Sequence, residues 1–303
     1  MPSPQQRGVS APVIFVNGLH RSGTTVIAEA ATEASDGATV TAGMIAESNA
    51  DLRELLDAAA NGLAVDRGVD ARQLTPDLAE EYGWLLRDVG RARAPNVRPR
   101  AIPALMAIIE RLAAQDGAHA VVLKNPWDFG REQMLLALSP EASILLVRRS
   151  MAAISASRDR ALSRYGSSDA YLSALTRHAP GVRIMVGAMR RRRSRAMILS
   201  SSGWAARLRV LVFLARVRAL PLERVAFLSF DELQAGEGAD WAAHLLDAER
   251  FGRALRARVW RMDAPAGSRP ALADVLVDRL WERSWKRRRA AQAAMLGMPS
   301  RKH

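Results

Sequence analysis

Apolar positions along the chain follow two patterns. Short runs that are apolar at every position occur at Val13-Ile14-Phe15-Val16, Ala120-Val121-Val122-Leu123, Ile144-Leu145-Leu146-Val147 and Val225-Ala226-Phe227-Leu228. Runs of this length, rich in β-branched residues, predict strands buried on both faces. Between them the apolar positions recur at helical spacing, over Thr25 to about Glu33, Ala101 to Ala114, Arg131 to Leu138, Ser150 to Arg164 and Trp204 to Arg218. Fully apolar strands alternating with helices predict a parallel sheet covered on both sides, so the expected class is α/β.

No internal repeat and no linker divides the chain, which predicts a single domain over residues 1–303. Within it, residues 1–11 carry no periodic apolar pattern and read as a flexible N-terminal arm. Residues 49–115 read as a helical insertion between the first and second strands, and 290–303 as a basic C-terminal tail. The insertion holds Arg87, Arg91, Arg93, Arg98 and Arg100, and two further basic clusters lie at 190–193 and 286–289. Like-charge runs of this kind are expected on solvated faces.

Composition narrows the classes. With 303 residues, 49% of them apolar, the chain can fill a sizeable core, which excludes disordered and collagen-like architectures. Its 44 Lys and Arg exceed 31 Asp and Glu by a net +13, and Lys124, Lys286 and Lys302 are the only lysines. The excess favours polyanionic ligands or anionic surfaces. The absence of cysteine excludes disulfides, thiolate zinc sites and a cysteine nucleophile, and fits a reducing, cytoplasmic setting. His20, His119, His178, His244 and His303 are scattered, against a histidine-built metal site. No apolar run approaches the roughly 18 residues of a membrane span, and the start MPSPQQRGVSAP holds no hydrophobic segment, so a soluble, unprocessed chain is expected.

The most informative stretch is Gly18-Leu19-His20-Arg21-Ser22-Gly23-Thr24-Thr25, between the first strand and the first helix. At such a junction the N–H groups of the loop and of the helix N-terminus converge on an anion. The glycines have the G-x-x-x-x-G spacing of a nucleotide P-loop, but Thr24 stands where a kinase or NTPase carries Lys. That lysine serves the β- and γ-phosphates, so a triphosphate is disfavoured. Arg21 lies inside the loop instead, where a guanidinium can bond bidentately to phosphate or sulfate.

The loop resembles the 5′-phosphosulfate loop of the sulfotransferases that use 3′-phosphoadenosine-5′-phosphosulfate (PAPS), in the Arg-Ser-Gly-Thr-Thr form of their bacterial and tyrosylprotein branches. Later segments follow in the family's order. Leu123-Lys124-Asn125-Pro126 is similar to its Lys-x-Pro element at the end of a central strand, where a compact ammonium can donate to a bridging oxygen. Residues 138–149 resemble its Pro-x-Ala-x-hydrophobic strand running into Arg-Asp-Pro, although Arg-Ser replaces Asp-Pro here. The family holds the 3′-phosphate there with an Arg at the strand end and a Ser eight positions on. Spacing selects Arg149 with Ser157 and strand register selects Arg148 with Ala156; the first pair supplies the hydroxyl. Residues 225–233 look like the late strand followed by Tyr-Glu-Asp-Leu, which makes Phe230, Asp231 and Glu232 structural partners of nearby arginines. Ala266-Gly267-Ser268-Arg269 reads as a remnant of the C-terminal 3′-phosphate loop.

The resemblance covers residues 13 to about 235 and implies a P-loop-like three-layer fold, with a central mostly parallel sheet flanked by helices. It implies PAPS as donor, 3′,5′-ADP as product, no metal, and in-line transfer to a hydroxyl of a small-molecule, carbohydrate or lipid acceptor. Arg21 and Lys124 would neutralise charge in the transfer, while Arg21, Ser22, Gly23, Thr24 and Thr25 would hold the 5′-phosphate and Arg148 or Arg149 with Ser157 the 3′-phosphate. As general base, Glu47 ranks first, ahead of Asp128 and His20. No nucleic-acid partner is expected, and the sequence is silent on oligomeric state. Two other readings compete: a small-molecule kinase with a degenerate P-loop, and a basic anion- or membrane-binding protein. The second rests on the net charge and on the basic amphipathic stretch from Arg207 to Arg218, which also raises peripheral membrane contact for an enzyme.

Overall fold

The computed structural model describes residues 11–63, 65, 67, 73–86, 95–164, 170–177, 182–184, 192–259 and 271–298. Five strands form its sheet: β1 (Val13–Gly18), β2 (Ala38–Thr39), β3 (Val121–Lys124), β4 (Ala142–Arg148) and β5 (Val225–Ser229). Their order is β2-β3-β1-β4-β5 and every pairing is parallel. The α-helices among the described residues are α1 (Thr24–Ala34), α2 (Ala42–Ala46), α3 (Ala50–Ala60), α4 (Ile102–Ala113), α5 (Glu132–Leu136), α6 (Met151–Arg164), α7 (Ala170–Thr176), α8 (Arg192–Arg216), α9 (Phe230–Gln234), α10 (Ala248–Val259) and α11 (Leu272–Leu296).

The strands are apolar at nearly every position because successive side chains enter two different cores. Val13 and Phe15 of β1, Val121 and Leu123 of β3, Ile144 and Leu146 of β4, and Val225 and Phe227 of β5 pack on one side with α4, α8 and α11. Ile14, Val16, Val122, Leu145, Val147, Ala226 and Leu228 pack on the other side with α1 and α10. The result is the α/β fold expected, a parallel sheet between two helical layers. All four predicted strands belong to it, and β2, a two-residue edge strand, is too short to have left a pattern.

Two basic segments differ from the sequence reading. Helix α8 starts at Arg192 rather than Trp204, running through a serine-rich stretch and Gly203. A Cβ on Gly203 would stand 3.0 Å from the Arg158 guanidinium on α6, so tertiary packing overrides the weak local propensity there. The 286–289 cluster is not a uniformly solvated face. Arg289 is buried, donates to the Phe227 carbonyl at 2.7 Å and to Glu232 at 2.6 and 2.8 Å, and lies over the Trp241 ring. A guanidinium enters a protein interior only with such partners. Glu232 thus locks an arginine, as the late-strand reading expected. Helix α11 runs on to Leu296, so the segment assigned to the C-terminal tail begins as helix. The arm at 1–10, most of the Arg-rich loop of the insertion, the segment 185–191 and Ala266 to Arg269 lie outside the described residues.

The chain leaves β1 toward β2 on one side, and after β3 it crosses β1 to reach β4 on the other. Ligands of open parallel sheets bind beyond the carboxyl ends of the strands at such a reversal. Here that place is flanked by the β1–α1 loop, the start of the segment after β3, and the β4–α6 junction. Among the described residues no helix is long and apolar enough to cross a membrane.

Candidate anion-binding site

The β1–α1 loop turns tightly. The Ser22 N–H donates to the Leu19 carbonyl at 3.0 Å, Arg21 takes a left-handed φ of 72° and Gly23 one of 92°. Gly23 is also the N-cap of α1 and supplies no side-chain cap, so the first amides of the helix are left to face another acceptor. A Cβ on Gly23 would lie 2.2 Å from the Phe230 ring, and one on Gly18 would lie 2.7 Å from Ser22 Oγ. Gly23 is required by close approach and by the turn, Gly18 by close approach alone.

The predicted residues converge around this loop to different degrees. Arg149 is buried at the end of β4, donates through Nη1 to the Arg21 carbonyl at 3.1 Å and lies 4.8 Å over the Phe230 ring. Burial lowers its pKa, and the Arg21 charge adds to that, while Asp231 opposes it. Ser157, buried on α6, accepts from Arg21 Nε at 3.1 Å. The structure thus brings Arg21, Arg149 and Ser157 together. Arg148 turns away, 3.9 Å from Glu282 on α11. From the neighbouring strand Lys124, 1% exposed, donates to Thr25 Oγ1 at 3.0 Å.

Several polar atoms here have no hydrogen-bond partner among the described residues: Ser22 Oγ, Arg149 Nε and His20 Nδ1 are buried and unsatisfied. Orphans of this kind are costly unless a ligand or water answers them. His20 measures the local field, since its pKa is lowered to about 3 by burial first and then by the charges of Arg209, Arg21 and Lys124. The imidazole is neutral at physiological pH and stands edge-to-face with Trp127, the ring centroids 4.4 Å apart. Buried cations with spare donors have the chemistry that a phosphate or sulfate would answer.

The three carboxylate and imidazole candidates for a base have separate fates. Glu47 is half exposed and held bidentately by Arg111 at 2.8 and 2.5 Å, which lowers its pKa. Asp128 is fully buried and saturated: it accepts from Tyr82 at 2.7 Å, Asn125 at 2.6 Å and the Val97 N–H at 2.7 Å, and burial raises its pKa. It cross-links the insertion to the segment after β3. His20 lies in the loop itself.

Four supporting residues escaped the sequence reading. Asn17 accepts from the Gly18 N–H at 2.9 Å and donates to Glu132 at 2.9 Å, anchoring the root of the loop. Glu132 also accepts from the Gly130 N–H at 2.8 Å, and burial pushes its pKa up to about 7. Arg209 on α8 donates to the carbonyls of Pro126, Trp127 and Phe129, fixing the segment after Lys124. Glu81 pairs its main chain with Lys124, and its carboxylate accepts from Trp127 Nε1 at 2.9 Å. Only Asn17, a polar residue at the end of an apolar strand, carried a local signal.

A parallel sheet between two helical layers, with an uncapped, glycine-dependent loop at its reversal point and an arginine in that loop, defines a P-loop-like fold. The sequence agrees: residues 12–200 match the sulfotransferase family, and the chain belongs to that family. Its fold is similar to that of sulfotransferase STF1 from Mycobacterium tuberculosis H37Rv, at 19% identity over 89% of this chain and 76% of that one, with a TM-score of 0.51. Sulfotransferase STF9 from Mycobacterium avium aligns over 94% of this chain and 76% of that one at 14% identity, with a TM-score of 0.49. No curated protein sequence matches it.

Proposed function

We propose that this sulfotransferase moves a sulfuryl group from PAPS to a hydroxyl of a small-molecule, carbohydrate or lipid acceptor. The observation that carries the reading is the convergence of Arg21, Arg149, Ser157 and Lys124 on one glycine-shaped loop with unsatisfied buried donors. Those donors suit PAPS, which has an anionic group at each end of its ribose. The Gly23 and Thr24 amides, the Ser22, Thr24 and Thr25 hydroxyls and Arg21 would bind the 5′-phosphate, and Arg149 with Ser157 the 3′-phosphate. Bound there, PAPS supplies the sulfuryl group and 3′,5′-ADP as leaving group.

Sulfuryl transfer resembles phosphoryl transfer in passing through a loose, in-line transition state, so the protein acts by positioning and by neutralising charge. Lys124 is suited to the oxygen that gains charge as the bond to sulfur breaks. Of the carboxylates, Glu81 is better placed than Glu47 to take the acceptor proton, because its main chain lies beside Lys124 while Glu47 is engaged by Arg111 at the surface.

A thermal-shift titration tests the donor. At ~100 times its dissociation constant 3′,5′-ADP should stabilise the fold by about 2.7 kcal/mol without metal, and Arg21→Ala should weaken that shift. A shift with Mg-ATP alone would replace this reading with the kinase one.

A further inference from the structure

Helices α8 and α11 lie side by side and run the same way. Arg207 on α8 pairs with Asp274 near the start of α11 at 2.9 Å, and Arg288 further along α11 donates to the carbonyls of Arg218, at 3.2 Å, and Leu220. Both bury one face in the same core, through Val210 and Phe213 on α8 and through Val277, Trp281 and Trp285 on α11. Their outer faces therefore turn the same way. Those faces are apolar where a solvated helix would be polar: Trp204, Leu208, Leu211 and Val212 on α8 and Leu272, Leu276 and Leu280 on α11 are each 41–75% exposed. They make up seven of the ten large hydrophobic side chains that stand exposed among the described residues.

Charge beside this face has one sign. Helix α8 has no acidic residue to offset its arginines. On α11 the acids are committed elsewhere: Asp274 to Arg207, Asp278 to the Met151 N–H, and Glu282 to Lys286 and Arg148. Arg216 and Arg218 on one side, and Arg283 and Arg287 on the other, stand exposed just past the apolar portions. Two parallel helices thus change in step from an aliphatic patch to a cationic margin.

We infer that this face docks on an anionic lipid bilayer, the aliphatic side chains entering the acyl boundary and the arginines meeting the headgroup phosphates. Nucleic acid would answer the arginines and leave the leucines without a partner. A second copy would answer the leucines while bringing two chains of net +13 together. The inference is independent of the sulfuryl-transfer reading, since it uses none of the loop residues.

Vesicle flotation of the full chain tests it, with phosphatidylcholine alone against phosphatidylcholine doped with phosphatidylglycerol. Binding should need the anionic lipid and weaken with salt. The double variant Leu208→Gln, Leu276→Gln should bind about tenfold more weakly. Arg283→Gln with Arg287→Gln should cost about thirtyfold, at ~1 kcal/mol per arginine. All four side chains are exposed, and unchanged thermal denaturation verifies folding of each variant. Equal binding to both vesicle types, no binding to either, or unaltered binding by the leucine variant would overturn the inference. So would a dimer in sedimentation that dissociates when Leu208 and Leu276 are replaced, since the occupant would then be a second copy.

Discussion

Glu132 should make this protein's stability depend on pH in an unusual direction. The carboxyl is 3% exposed, accepts from Asn17 and the Gly130 N–H, and burial raises its pKa from 4.5 to about 7. Below pH 4.5 the group is protonated in both the folded and unfolded chain and contributes nothing to the pH dependence. Between the two values the unfolded chain releases the proton while the folded chain keeps it, so stability falls as pH rises. At about 1.4 kcal/mol per pH unit the loss is complete just above pH 7 and amounts to about 3 kcal/mol. His20 acts oppositely, since its lowered pKa makes stability rise with pH from about 3 to 6.5. The wild-type profile therefore hides both effects, and a variant is needed to separate them. Glu132→Gln keeps a carbonyl oxygen for Asn17 and Gly130 and cannot ionise. Urea denaturation of both proteins across pH 4.5 to just above 7 should show the variant gaining on the wild type by up to about 3 kcal/mol toward high pH. Parallel profiles would refute the reasoning, because they would mean that Glu132 does not sit in the fold as a buried acid.

Gly23→Ala should destabilise the protein by about 3 kcal/mol, from the left-handed backbone and the overlap with Phe230, and should abolish the thermal shift with 3′,5′-ADP. Glu232→Ala leaves the buried Arg289 without its carboxylate and should cost about 2 kcal/mol by urea denaturation, less than for a fully buried pair because Glu232 is 35% exposed. Glu47→Gln breaks only an exposed pair, so stability should change by less than about 1 kcal/mol and turnover should persist. Glu81→Gln should lower turnover by about a hundredfold or more with 3′,5′-ADP binding retained; full activity in that variant would remove Glu81 as the base.

Strands and the glycine turn after β1 were legible in the sequence because their causes are local. A strand buried on both faces must be apolar at successive positions, as Val13 to Val16 and Ile144 to Val147 are. A loop that turns through left-handed backbone and approaches an aromatic ring must have glycine at that point, as at Gly23. Both constraints act within a few residues, so they leave a pattern in any chain that obeys them. The rest was decided by contacts between distant segments. That Arg149 rather than Arg148 reaches the loop is seen only in the fold, where Arg148 lies 3.9 Å from Glu282, 134 positions away. Glu47 reads as a free carboxylate until Arg111 is seen beside it, and Asp128 as a base until Tyr82, Asn125 and Val97 are found to use its oxygens. A charge in sequence has no fixed role, because its protonation and reach are set by what it is buried against and paired with. The sequence by itself determined the sheet, the turn after β1 and the family; only the tertiary structure decided which cations converge on that loop, which acids are held in ion pairs and hydrogen bonds, and which helical faces are left apolar toward solvent.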